Sequence, residues 1–318
     1  MAQLVKLLDY ISRYENDLTR YPTQFIRLKR SQWERMKIQW ENGSEHSLWE
    51  QIADEEEPEE RKKASVFSRI FGSRKEEPEI EEVEDSDDED DFGFHSNIIY
   101  TPKTEAQLRK LYMDQLFHFQ LKWASSTLTD KSRVDPIYMR DSLLRSFTQQ
   151  LPDSFLLFYY PIIKLQKAPV ELSVIILTPI ECLCITVLEE EDFAAFSGGG
   201  DRFWIKKTGD KETKLLNPLI ALNRDETIIS RIFQEKAIDF PIRKYLISRN
   251  GYIDYPNIAF DVEVIDKRSY DKWFESLSKY PTPMKLMQFK AAQAILDVGQ
   301  TTAMSQLLEF EEKEADDN

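Results

Sequence analysis

Apolar side chains at Leu4, Leu7, Leu8 and Ile11 follow the i, i+3, i+4, i+7 spacing that turns one helix face toward a core, so residues 2–20 are expected to be helical. A second helix is expected from Pro22, a residue tolerated in a first turn, to about Glu41, before Asn42 and Gly43. The pair would make an N-terminal helical hairpin within residues 1–53. Its second helix mixes Arg27, Lys29, Arg30, Arg35 and Lys37 with Trp33 and Trp40. That composition suits either contact with phosphates and bases or tryptophans packed on the neighbouring helix.

The apolar pattern resumes near residue 98. Thr104-Glu-Ala-Gln107 has capping-box spacing, and Leu108, Leu111, Tyr112, Gln115, Leu116, Phe119 and Trp123 follow at helical intervals. Asp135 and Pro136 open a further helix, with Leu143, Leu144 and Phe147 on its buried face and Pro152 closing it. Residues 155–163, FLLFYYPII, read as a strand. Residues 170–188, VELSVIILTPIECLCITVL, hold two β-branched runs joined at Thr178, Pro179 and Ile180, the pattern of a buried hairpin. Gly198-Gly-Gly200 turns into a strand at RFWIKK, and Asn217-Pro218 caps another helix. Residues 244–248 and 258–265 read as strands, and residues 270–277, 284–298 and 302–310 as helices. The expected class is α/β (α+β): a mixed sheet flanked by helices, in a domain over residues 98–308.

Charge redraws the boundaries of this plan. The chain carries a formal charge of -15, of which residues 54–91 hold -12 and residues 309–318 hold -5, so the remainder is close to neutral. A stretch such as EEPEIEEVEDSDDEDD has too few apolar residues to offset the entropy of ordering it, and residues 54–97 are expected to be a disordered acidic linker, with 309–318 an acidic tail. Within the linker, residues 62–75 form a basic amphipathic island between Lys62 and Lys75, with Val66, Phe67, Ile70 and Phe71 on one face. The island suits a partner or membrane surface, or association with the flanking acidic runs. No segment has the ~20 apolar residues of a membrane span. The start lacks the apolar core of a signal peptide, so a cytoplasmic location is expected. Cys182 and Cys184 read as core residues rather than a disulfide or metal pair. His46, His95 and His118 are scattered.

Residues 135–255 carry RDSLLRSFTQQLPDSFLLFYYP, then VELSVIILTPIECLCITVL, then WIKKTGDKETKLLNPLIALNRDETIISRIF, then RKYLISRNGYIDYP. In order and spacing these segments resemble the nuclease-related domain (NERD) family of the restriction-endonuclease-like, PD-(D/E)XK, superfamily. The resemblance implies a helix Glu, a strand Asp and a Glu-x-Lys that gather Mg²⁺ and activate water. Here those positions hold Arg140, Glu171, Thr186 and Leu188, so a degenerate motif and a pseudonuclease without a cofactor are expected. Displaced residues could rebuild the centre: Asp141, Glu171, Glu190 and Lys206, with Mg²⁺ as the metal. The function expected is a non-catalytic binding or regulatory module, with protein as the first partner class and nucleic acid, through the folded parts, as the second. Two alternatives stand beside it: a divalent-metal-dependent nuclease with the rebuilt site, and an acidic run that mimics nucleic acid on a basic partner.

Overall fold

A computed structural model describes residues 1–55 (side chains to 43), 94, 96–98, 102–165, 168–189, 193–255, 261–280 and 282–302. Most of the expected linker, the island at residues 62–75, Glu190, the last expected helix beyond Thr302 and the acidic tail lie outside the described residues. The chain divides into two compact units, Met1–Lys29 with Met113–Asn318, and Arg30–Tyr112.

The larger unit is built on a six-stranded mixed sheet in the order β1 (Gln3–Leu7), β2 (Leu156–Tyr159), β5 (Val174–Leu177), β6 (Cys182–Val187), β10 (Ile242–Ile247), β12 (Val262–Ile265). β1 lies parallel to β2, and β6, β10 and β12 are parallel to one another. β5 runs antiparallel to both its neighbours. Helices cover both faces. On one, Leu143, Leu144 and Phe147 of α4 (Ser142–Gln150) and Tyr270 and Phe274 of α6 (Tyr270–Ser278) pack with Leu157, Ile176, Leu183, Ile185 and Ile247. On the other lie the buried residues of α5 (Pro218–Glu235) and α7 (Leu286–Val298). Burying both faces of this sheet explains why its strands read as nearly continuous apolar runs. A mixed α/β sheet flanked by helices is therefore the architecture of this unit, in the chain order helix, strand, hairpin, helix, strand.

Two smaller sheets complete the unit. β3 (Ile162–Lys164) pairs with β4 (Pro169–Glu171), and a four-stranded sheet has the order β11 (Tyr252–Asp254), β7 (Ala195–Ser197), β8 (Phe203–Thr208), β9 (Lys211–Leu216). Between α2 (Glu105–Trp123) and α4 stands the short α3 (Pro136–Arg140). The second unit holds most of α1 (Arg20–Glu55) and the first part of α2. In it Trp33 lies 5.3 Å from Tyr112, ring to ring, and the Trp40 Nε1 donates to the Pro102 carbonyl at 2.7 Å. Trp33 and Trp40 of α1 are thus half-buried within this unit.

Several expectations need correction: α1 continues through Asn42 and Gly43 to Glu55, and the helix expected from Pro136 breaks at Asp141 into α3 and α4. Residues 2–20 are not the first arm of a helical hairpin: Gln3–Leu7 is a fully buried strand, followed by a single turn at Arg13–Glu15. Its register shifts between Leu4 and Lys6, and this bulge brings Leu4 and Leu7 to the same core, imitating the i, i+3 spacing of a helix. Residues 155–163 form two strands rather than one, because Tyr160 takes φ 49° and breaks the run between β2 and β3. The hairpin is β5 and β6 alone; Val170 and Glu171 belong to β4 in a different sheet. Thr178 closes its turn by donating from its hydroxyl to the Glu181 carbonyl at 3.1 Å and by accepting from the Glu181 N–H at 3.1 Å.

Candidate functional site

β2, β6 and β10 run in one direction, so their carboxyl ends gather at one edge of the sheet, beside the start of α4. Crevices outside strand carboxyl ends are where open α/β sheets place ligands. A cleft of about 500 Å³ lies there, lined among others by Arg140, Asp141, Tyr159, Tyr160, Glu189 and Arg249.

Asp141, Tyr159, Glu189 and Arg249 are held by local chemistry. Asp141 separates α3 from α4 and is the N-cap of α4: its Oδ1 accepts from the N–H groups of Leu143 and Leu144, both at 2.9 Å. This satisfies two of the donors a helix start leaves open. Its Oδ2 accepts from the Tyr159 hydroxyl at 2.6 Å. Glu189, just past β6, accepts on both oxygens from the Arg249 guanidinium, and Arg249 also donates to Ser142 Oγ at 3.0 Å. Hydrogen bonding to Glu189 pushes the Arg249 pKa up despite its burial. Burial first, and then the Asp141 charge, drives the Tyr159 hydroxyl far above the ordinary phenol range. Burial followed by the charges of Asp141, Glu189 and Glu171 raises Tyr160 to about 12. Tyr138 also rises to about 12, through burial, Tyr10 and then Glu171. The cleft therefore presents neutral phenol donors and one neutralised acid–base pair at any physiological pH.

The residues singled out from the sequence are distributed unevenly. Arg140 and Asp141 line the cleft. Thr186 points to the opposite side of the sheet, where its hydroxyl lies 3.1 Å from that of Ser173. Leu188 contributes its backbone, donating its N–H to the Ile247 carbonyl at 2.7 Å. Glu171 is exposed on β4, and its carbonyl accepts from Arg224 at 2.8 Å. Lys206 sits on β8 in the four-stranded sheet. Glu190 lies outside the described residues. The residues of the β6 end that line the cleft are Val187 and Glu189, one position away from Thr186 and Leu188, and a one-residue slip exchanges the faces of a strand.

Arg249, Tyr159 and Glu189 were not singled out in the sequence as a group. Nor was Asp225, a fully buried carboxylate on α5 that accepts from the Ser173 N–H at 2.8 Å and from Arg224. The Arg249 signal is a lone charge after a buried strand, which period alone does not mark. Asp225 falls on a helix position where Leu222 and Ile229 already mark the inner face.

A divalent metal is what the resemblance implies for such a fold, and these donors do not fit one. Each oxygen of Asp141 and Glu189 already accepts a hydrogen bond, and the Arg249 guanidinium stands where a cation would be repelled. Among the described residues, no three His, Cys, Asp or Glu side chains group to hold a metal ion.

No family model matches the chain, and no solved structure matches it. Among curated proteins, a protein of Geobacillus stearothermophilus named RNA 2',3'-cyclic phosphodiesterase is 40% identical over 92 residues, which cover 26% of this chain. The match spans only 27% of that protein's own length, about a quarter of the curated relative.

Proposed function

We propose that the protein is a binding or regulatory module that keeps a nuclease-related fold without its chemistry. The observation that carries this reading is the occupancy of the two cleft carboxylates: Asp141 by the α4 N-terminus and Tyr159, Glu189 by Arg249. A catalytic carboxylate in a metal nuclease must offer its oxygens to the cation; these serve the fold instead. The αβββαβ order of α4, β2, β5, β6, α5 and β10 adds support for the nuclease-related resemblance.

The second reading, a divalent-metal nuclease rebuilt from Asp141, Glu171, Glu190 and Lys206, draws on one observation. Glu171, like Asp141 and Glu189, is close enough to influence the Tyr160 hydroxyl. One experiment separates the two. The full chain is incubated with labelled single- and double-stranded DNA and RNA, including RNA ending in a 2',3'-cyclic phosphate because of the partial relative's name, with Mg²⁺ or Mn²⁺. The expected outcome is intact substrate. Metal-dependent cleavage that disappears in Asp141→Asn or Glu171→Ala would overturn the non-catalytic reading.

A further inference from the structure

The four-stranded sheet turns one face to solvent, and its cross-strand register assembles that face row by row. Tyr252, Ala195, Lys207 and Glu212 stand opposite one another in the first row, and Asp254, Ser197, Ile205 and Lys214 in the second. Phe203 and Leu216 form the third. Phe203 is 52% exposed and Tyr252 43%, while their strand neighbours Trp204 and Ile253 are buried on the inner face.

Each ring has a cation beside it. The Arg202 guanidinium lies 5.6 Å from the Phe203 centroid, and that of Arg268 lies 5.8 Å from Tyr252. At the margin, Lys267 Nζ stands 3.8 Å from the ring of Phe193, which is 65% exposed. Residues 193–216 carry +2, and residues 252–254 of the same sheet carry -1.

We infer that this face binds single-stranded RNA. Unpaired bases stack on exposed aromatic rings, and a four-stranded sheet with rings on two strands and a cation beside each is a platform for that contact. Arg202 and Lys214 meet the phosphates, while Lys207 and Arg268 are paired with Glu212 and Asp266. Tyr252 and Phe203 take bases, separated by β7 and two rows of register. Asp254 and Ser197, paired across β11 and β7, place a hydrogen-bond acceptor and a hydroxyl beside Tyr252, the two partners a ribose 2'-hydroxyl uses and deoxyribose lacks. The surface is separate from the cleft at the sheet edge, so RNA binding here and absence of cleavage there are independent results.

The test is fluorescence anisotropy with the full chain and a labelled mixed-sequence RNA of about 12 nucleotides, within the range of such sites. Single-stranded RNA should bind more tightly than single-stranded DNA or duplex RNA of the same sequence, and more weakly as salt rises. Phe203→Ala and Tyr252→Ala should each weaken binding about tenfold. Phe203→Tyr should retain it, and Lys214→Glu should reduce the salt dependence. Asp254→Asn should narrow the gap between RNA and DNA. Unchanged melting temperatures in these exposed-site variants check the fold. Absence of RNA binding, equal affinity for duplex or for DNA, or affinity unaltered by both ring substitutions would overturn the inference.

Discussion

Both oxygens of Asp141 act on the fold, Oδ1 holding the first turn of α4 and Oδ2 holding Tyr159. Asp141→Ala should therefore cost about 1–2 kcal/mol as a lost N-cap, while Asp141→Asn, which keeps an acceptor at Oδ1, should cost less; urea melts of the three chains measure the difference. Asp266 gives a pH signature. Burial raises its pKa, but hydrogen bonds from the Arg268 side chain and from the N–H groups of Arg268 and Ile253 more than offset this and hold it below the usual carboxylate value. A carboxyl with a lower pKa folded than unfolded stabilises above its unfolded pKa of about 4, and that contribution disappears as pH falls through the folded value. Stability of the wild-type chain should thus fall more steeply on acidification below about pH 4 than that of Asp266→Ala, measured as urea midpoint against pH. At this scale the sequence is legible where a short polar residue precedes a helix. Asn217 before Pro218 and Asp135 before Pro136 both accept from the N–H two residues on, as their type and place predict. It is illegible where the partner is distant, as for Arg249 with Glu189.

At the scale of elements, patterns that depend on neighbours in sequence survive and those that depend on a partner strand do not. The hairpin of β5 and β6, the helix α5, and the helices α6 and α7 follow their apolar spacing to within a few residues. β1 was hidden because a bulge changes the period of a strand, and β9, KETKLL, because only its pairing with β8 gives its alternation meaning. The candidate site suffered from the same limit: spacing located the β6 strand but not which of its faces meets the α4 side. Glycine marks one close contact. A Cβ on Gly198 would lie 2.3 Å from the Trp204 ring, which is fully buried, stacks on Tyr255 at 5.4 Å and donates from Nε1 to the Gly199 carbonyl at 3.0 Å. Gly198→Ala should displace that indole and destabilise the four-stranded sheet by about 1–3 kcal/mol, while Gly199→Ala, with open space around it, should not. Tryptophan fluorescence and thermal melting report both.

For the whole molecule, the sequence separated residues 1–53 from the later domain, whereas the structure places Gln3–Leu7 in the six-stranded sheet beside β2. Binary patterning has no means of showing that. The Ala2 N–H donates to the Thr148 carbonyl at 2.8 Å, and the Gln3 side chain donates to the Asp153 carbonyl at 3.1 Å, so the first residues are tied in from both backbone and side chain. Removing residues 1–8 should leave β2 as an exposed, fully apolar edge, LLFY, and the truncated chain should self-associate, as size-exclusion chromatography would show. The pairing of β1 with β2 also sets an order in time. A five-residue strand whose partner is made only after another 150 residues has nothing to pair with while the chain emerges, and it closes the largest loop in the sheet. Its docking is accordingly a late event in folding, and substitutions in β1 should speed unfolding more than they slow refolding.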